Sequence, residues 1–130
     1  MIEVFIPLNP EFQKYETQVK ELYEKSQERL CDPNPFSFVK DNTLFYIFVK
    51  NGVLLGAIYY FMEDNKLFLN GFASPKHHVE NLHCLCLSTS WFKSNIYAEA
   101  QNRASALCLL RCGFKRVKDN LFCLKRECNN

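Results

Sequence analysis

Two apolar runs joined by Asn-Gly restrict what this chain can fold into more than any other feature. The first is TLFYIFV, residues 43–49. Lys50-Asn51-Gly52 follows, and then VLLGAIYYFM, residues 53–62. Both runs are rich in β-branched and aromatic residues, which suit a pleated, half-buried surface. Asn-Gly supplies two successive positive φ angles at little steric cost, as a tight hairpin with the correct twist requires. An antiparallel pair is therefore predicted. A second turn over Glu63–Lys66 and a third strand, LFLNGFA at residues 67–73, extend it to a meander. Gly56 inside the second strand predicts a bulge or a close backbone approach.

The rest of the chain surrounds that meander. IEVFIP, residues 2–7, alternates and reads as a first strand. Asn9-Pro10 is a helix start, an N-cap candidate followed by a residue whose fixed φ suits the first turn. Phe12, Tyr15, Val19, Leu22 and Tyr23 then recur at helical spacing, and the helix is expected to reach about Leu30. CDPNPF, residues 31–36, holds two prolines and reads as a loop between that helix and the sheet. It is either a place where a substrate could be gripped or a plain connector.

After the meander, residues 74–78 read as a loop. A helix is expected from Val79 or Glu80 to Phe92, with Leu82, Leu85 and Cys86 inward. NIYAEA, residues 95–100, is a short strand. Asn102 opens a helix from Arg103 to Cys112, packed through Leu107, Cys108 and Leu110. Gly113 ends it in a left-handed cap, and a terminal hairpin turns at Lys118–Asn120. The strand–helix–strand unit in the middle predicts a parallel pairing with a right-handed crossover.

Composition excludes several classes. A chain of 130 residues means a single domain over 1–130, and 48% hydrophobic residues with twelve Phe supply its core. The net charge of +2 makes no case for nucleic acid. The basic cluster of Lys115, Arg116, Lys118, Lys125 and Arg126 reads as the solvated side of terminal strands, with phosphate contact as the alternative. No apolar run approaches the ~20 residues that span a bilayer, so no membrane association is expected. The start has no basic region before an apolar one, so no signal peptide is read and a cytoplasmic protein is expected. Seven cysteines, five of them in apolar runs, then read as free thiols. No C-x-x-C pair is present, so no metal is expected. His77, His78 and His83 near Cys84 and Cys86 keep a metal as the lesser reading.

This order of elements, with the residues that punctuate it, resembles the GNAT N-acetyltransferase superfamily. NGVLLGAIYY is similar to that family's central strand pair, including Gly56. GFASP is similar to the end of its fourth strand, with Pro75 at the usual Pro. Asn102 stands eleven residues before Gly113-Phe114, the family's spacing between its motif Asn and the terminal Gly-Phe. The resemblance implies an α/β (α+β) fold, a mixed, mostly antiparallel sheet with helices on both faces. It also implies a cleft for acetyl-CoA where strands four and five splay apart. Phe72 and Ala73 would face the pantetheine. The loop from Lys76 to Leu82 would face the pyrophosphate, using Lys76, His77 and His78, and Asn102 would sit beside the cofactor.

The chain departs from the family pattern at two places. His78 takes the loop's basic position, and Asn81 and His83 stand where glycines are usual. Leu109 stands seven residues after Asn102, where many members place a Tyr that protonates the leaving thiolate. Leucine donates no proton. Tyr97 is the candidate replacement, and Glu99 or Glu63 the candidate general base. The resemblance then leaves open two functions. One is acetyl-CoA-dependent transfer of an acetyl group to a small-molecule or protein amine. The other is a catalytically inactive binding or assembly module with protein partners, as among internal virion proteins of tailed phages. A peptide binder working by strand addition is a third reading.

Overall fold

The computed structural model describes residues 1–74 and 76–126; Pro75 and the His78 side chain lie outside the described residues. Strand β1 is Ile2–Phe5, and a 3-10 turn follows at Pro10–Lys14. Helices α1 (Glu16–Leu30) and α2 (Phe36–Asn42) come next. The meander is β2 (Leu44–Lys50), β3 (Val53–Glu63) and β4 (Lys66–Ala73). Helix α3 (His78–Thr89), β5 (Ile96–Glu99), α4 (Arg103–Arg111), β6 (Lys115–Lys118) and β7 (Leu121–Leu124) complete the chain. The seven strands form one sheet in the order β1-β2-β3-β4-β5-β7-β6. Only β4 and β5 run parallel; the other neighbours are antiparallel.

Turn chemistry closes the meander as the sequence predicts. Asn51 and Gly52 have φ of 52° and 74°, and Lys50 pairs with Val53. Asp64 and Asn65 repeat this at the second turn, with φ of 51° and 62° and Glu63 opposite Lys66. Gly56 meets both expectations. Leu55 has no register partner on β2, which is a bulge beside Gly56. A Cβ on Gly56 would lie 2.5 Å from the Phe72 carbonyl oxygen and 2.9 Å from the Ala73 Cα. Only glycine lets β3 and β4 come this close.

The sheet is apolar on both faces. On one side Val19, Tyr23 and Leu30 of α1 and Phe36 and Val39 of α2 pack on Phe45, Ile47, Tyr59 and Phe72. On the other, Cys84 and Leu85 of α3 and Leu109 of α4 pack on Tyr60, Leu69, Ile96 and Phe122. The end of α4 is a Schellman motif. Phe114 N–H donates to the Leu109 carbonyl at 3.0 Å and Gly113 N–H to the Leu110 carbonyl at 3.1 Å. Gly113 has φ of 103°, and Phe114 and Leu109 share the core contact that accompanies this cap.

Four local expectations are corrected. The first helix is broken at Tyr15, so that Asn9 caps the 3-10 turn through Glu11 N–H at 2.9 Å and α1 begins afresh at Glu16. Helix α2 has no counterpart in the sequence reading, because seven residues with two buried side chains, Phe36 and Val39, give too short a period to stand out. Helix α3 stops at Thr89 rather than Phe92 and buries Cys84, Leu85 and Ser88, while Cys86 falls on the solvent side of that stripe. In α4 the buried residue is Leu109, and Leu107 and Leu110 are half-exposed. Among the described residues no helix is long and apolar enough to cross a membrane.

Candidate functional site

Strands β4 and β5 meet at only two residue pairs, Leu67 with Ile96 and Phe68 with Tyr97. Beyond Phe68, β4 continues to Ala73 hydrogen-bonded to β3 alone. Its backbone from Leu69 to Ala73 therefore has no strand across from it on the β5 side. Helices α3 and α4 wall the gap, giving a cleft of about 660 Å³. That size is in the range of sites that take a small molecule or cofactor.

The cleft is apolar with a positive bias. Arg29 and Arg111 line it, and no carboxylate does among the described residues. Its thiols stay protonated. Burial pushes Cys84 up to about 12. Burial and then the Cys86 thiol raise Cys108. His77 is the N-cap of α3 and makes no side-chain cap, so the first amides of that helix keep their donors for another partner. Glu80 in the same turn lies 3.9 Å from both Lys50 Nζ and His77 Nδ1.

Of the residues singled out from the sequence, Phe72, Ala73, Asn81 and Asn102 line this cleft together. Phe72 does so with its backbone; its ring packs on the other face, 5.6 Å from Tyr23. Asn102 caps α4. Its side chain accepts from Ser105 N–H at 2.8 Å, and the Ser105 hydroxyl accepts from Asn102 N–H at 3.1 Å. Lys76 is exposed in the turn before α3 and is not among the lining residues. The His78 side chain lies outside the described residues.

Tyr97 and Glu99 do not line the cleft. Ile96 and Ala98 point to the α3–α4 core, so the alternation of β5 sends Tyr97 and Glu99 to the opposite face. There the Tyr97 ring lies 5.7 Å from Phe68, with Lys66 Nζ 5.5 Å above it. Glu99 is exposed at the end of β5. Glu63 is the last residue of β3, opposite Lys66, which begins β4 at the end away from Ala73.

That opposite face holds a polar network the sequence reading missed. Tyr59 Oη donates to Asp32 Oδ2 at 2.8 Å, and Asn70 Nδ2 donates to Tyr59 Oη at 3.1 Å. Asp32 Oδ1 accepts from the backbone and side chain of Asn34 at 3.0 and 2.8 Å. Tyr23 Oη and Gln27 Nε2 both donate to the Asn34 carbonyl, at 2.7 and 2.8 Å. Burial, and then the Asp32 carboxylate, push Tyr23 up to about 12. Burial and the hydrogen bond to Asp32 likewise raise Tyr59 far above a free phenol. The loop between α1 and α2 is thus bolted to β3 and β4, and Asn70 reaches from this network to the cleft lining. A smaller hollow of about 470 Å³ opens beside Glu28 and Asp32. Cys31 Sγ lies 3.9 Å from Gln101 Oε1, joining the loop to the chain after β5. The one sequence signal for this was the pair of prolines in a segment read as either a place to grip a substrate or a plain connector.

The residues present fit an acyl-CoA in two respects, the open β4 edge and the basic lining without a carboxylate. Among the described residues no group of three or more His, Cys, Asp or Glu side chains is placed to hold a metal ion.

No protein-family model and no curated protein matches the chain. Solved structures do match it. The N-acetyltransferase PseH of Campylobacter jejuni is 13% identical with a TM-score of 0.66, covering 97% of this chain and 99% of its own. A GNAT-family acetyltransferase of Streptococcus agalactiae is 9% identical with a TM-score of 0.66, covering 97% and 96%. A GNAT-family acetyltransferase of Brucella melitensis in complex with acetyl-CoA is 12% identical with a TM-score of 0.57, covering 100% and 91%. Similarity along almost the whole of each chain means that this protein has the GNAT acetyltransferase fold.

Proposed function

We propose that the chain binds acetyl-CoA in the cleft between β4 and β5 and passes the acetyl group to an amine arriving from the α1–α2 loop. The observation that carries this reading is the stretch of β4 from Leu69 to Ala73 with no strand across from it, opening into a basic cleft of about 660 Å³. When bound, acetyl-CoA supplies an activated thioester. The β4 backbone beside Phe72 and Ala73 would hold the pantetheine as an added strand is held. The uncapped start of α3, with Lys76, His78 and Asn81 around it, would face the pyrophosphate. Asn102 would keep α4 alongside. Similarity to an acetyltransferase in complex with acetyl-CoA supports the cofactor.

On the other face Glu99, through a water, is our choice for the base that frees the amine lone pair. Asp32 is the carboxylate that would draw in the ammonium form. Backbone amides of β4 would stabilise the developing oxyanion. Tyr97 is the phenol we assign to the leaving thiolate. A second reading has one observation in its favour: no Tyr, Asp or Glu lines the cleft among the described residues, and Leu109 at the usual acid position is packed in the core. On that reading the fold binds or assembles with protein partners without chemistry.

Calorimetric titration of acetyl-CoA separates them. One site of micromolar affinity, followed by acetylation of a member of an amine panel, is expected. Glu99→Gln should then lower turnover by about 10²-fold or more, the typical contribution of a positioned base. Absence of heat from a folded sample would overturn cofactor binding. Binding without turnover of any amine would leave the non-catalytic reading. Asn102→Ala should cost about 1 kcal/mol in urea unfolding through the lost cap. Acetyl-CoA affinity unchanged in that variant would remove Asn102 from the cofactor site.

A further inference from the structure

The sheet face that carries the Asp32–Tyr59–Asn70 network continues beyond the residues under α1 and α2. The rings of Phe61, Phe68 and Tyr97 lie in a row there, on β3, β4 and β5. Phe61 stacks on Phe68 with centroids 5.9 Å apart, and Phe68 lies 5.7 Å from Tyr97. All three are half-buried, and among the described residues Phe68 and Tyr97 belong to neither core beneath the helices. Lys66 Nζ stands 5.5 Å over the Tyr97 ring and marks one end of this shelf. Asn70 marks the other. It is two residues along β4 from Phe68, hence on the same face, and it pairs with Tyr59 on β3.

We infer that this shelf and Asn70 select the acceptor: a primary amine on a flat apolar body, with the body on the Phe61 and Phe68 rings and the nitrogen donating to Asn70 Oδ1. The inference rests on the acetyl-transfer reading above and names the class of amine it takes. Its first support is that the Asn70 amide can face only one way. Tyr59 Oη has a single proton, which goes to the Asp32 carboxylate at 2.8 Å. Toward Asn70 the phenol oxygen can then only accept, so the amide must present Nδ2, at 3.1 Å. Oδ1 is left facing away from the phenol. Among the described residues nothing donates to it, and Arg126 Nε is the one fully buried side-chain polar atom without a partner, so Oδ1 is open to solvent. Asn70 also lines the cleft, in the stretch of β4 with no strand across from it. A primary amine keeps two N–H groups after losing its proton to a base. It can donate one to Oδ1 and still aim its lone pair at a thioester lying along that edge.

Its second support is how charge and apolar surface are laid out along the shelf. Half-buried rings outside both cores offer their faces to a flat apolar group, in the offset geometry they already use with one another. Lys66 repels a cation from the Tyr97 end. The Asp32 carboxylate stands behind the Asn70 end, one phenol away, and attracts it. The same carboxylate polarises the hydrogen-bonded chain through Tyr59, which makes Asn70 Oδ1 a stronger acceptor. An ammonium head on an apolar body therefore fits this surface in one orientation, with its head toward the cleft.

The test titrates the full chain calorimetrically with three probes: 2-phenylethylamine, ethanolamine (ammonium without ring) and 2-phenylethanol (ring without ammonium). The first should bind about tenfold tighter than either of the others, the difference one hydrogen bond makes. Phe68→Ala should bring 2-phenylethylamine down to ethanolamine. Asn70→Leu should weaken 2-phenylethylamine about tenfold and leave 2-phenylethanol unchanged. Tyr59→Phe frees the amide to turn and should give the same split, which a merely structural loss would not. Phe68 stands outside both cores, so its variant keeps the fold, and circular dichroism melts check all three. No binding of 2-phenylethylamine, equal binding of ethanolamine, or a folded Phe68→Ala or Asn70→Leu protein that binds as the parent does would each overturn the inference. The reading of the cleft fails separately: heat with 2-phenylethylamine and none with acetyl-CoA would end acetyl transfer and leave the amine site standing.

Discussion

Gly56→Val should leave the protein unfolded or nearly so, with a loss of about 3 kcal/mol or more, the upper part of what overpacking costs. The atoms a Cβ meets here are backbone: the Phe72 carbonyl oxygen at 2.5 Å and the Ala73 Cα at 2.9 Å. A flexible side chain could turn aside; a strand held on its other residues cannot. The strain lands on the end of β4 that borders the cleft, so any folded fraction should also bind acetyl-CoA poorly. Urea unfolding followed by circular dichroism measures the loss. A midpoint within experimental error of the parent would mean that β3 and β4 are not pressed together at this point.

Gly71→Leu separates stability from function. Gly71 lines the cleft, and a Cβ there meets the Ala57 carbonyl oxygen and Ile58 Cγ1 at 3.4 Å, which is ordinary contact. The variant should therefore fold. Its side chain would lie on the same face of β4 as Leu67 and Leu69, toward α3 and α4. It would fill the space along the open strand edge. The expected result is acetyl-CoA affinity lower by about 100-fold, or about 2.7 kcal/mol, with a melting temperature close to the parent. Unchanged affinity in a folded Gly71→Leu protein would place the binding site elsewhere.

The parts of this fold that could be read from sequence are those with a local cause. Asn51-Gly52 set a hairpin because each residue takes a positive φ, and Gly113 alone supplies the positive φ that ends α4 before Phe114. Gly56 announced a close approach because nothing larger fits. Helix α2 escaped because two buried residues in seven do not make a visible period. The facing of α3 escaped because its stripe mixes cysteine, leucine and a buried serine. The Ser88 hydroxyl is satisfied by the Leu85 carbonyl at 3.3 Å and by Tyr60 Oη at 2.6 Å, the latter on a residue 28 positions earlier.

The site divided in the same way. Asn102 and the end of β4 carried a recognisable spacing, and they do share a cleft. The acceptor-side network did not. Asp32, Tyr59 and Asn70 lie 27 and 11 residues apart in sequence, and only the sheet brings their polar atoms together. No pattern along the chain encodes such a meeting. Tyr97 and Glu99 were legible as strand residues, yet which face each takes followed only from the register of β5 with its neighbours.

The two-pair junction of β4 and β5 has a consequence for how the domain assembles. From β1 to β4 every strand neighbour follows directly in sequence or across a helical excursion, and the meander closes through two-residue turns. Such short-range pairing forms early. The remaining strands, β5, β7 and β6, pair among themselves through four and three partners and dock onto the first half through two. The hydrogen-bonded ladder is therefore joined at its middle by a short stitch, although the core under α3 and α4 spans both halves. A stitch of this kind is the first to open in partial unfolding. A ligand lying along the gap would bridge both halves and slow that opening, so that occupancy of the cleft and the lifetime of the native state rise together.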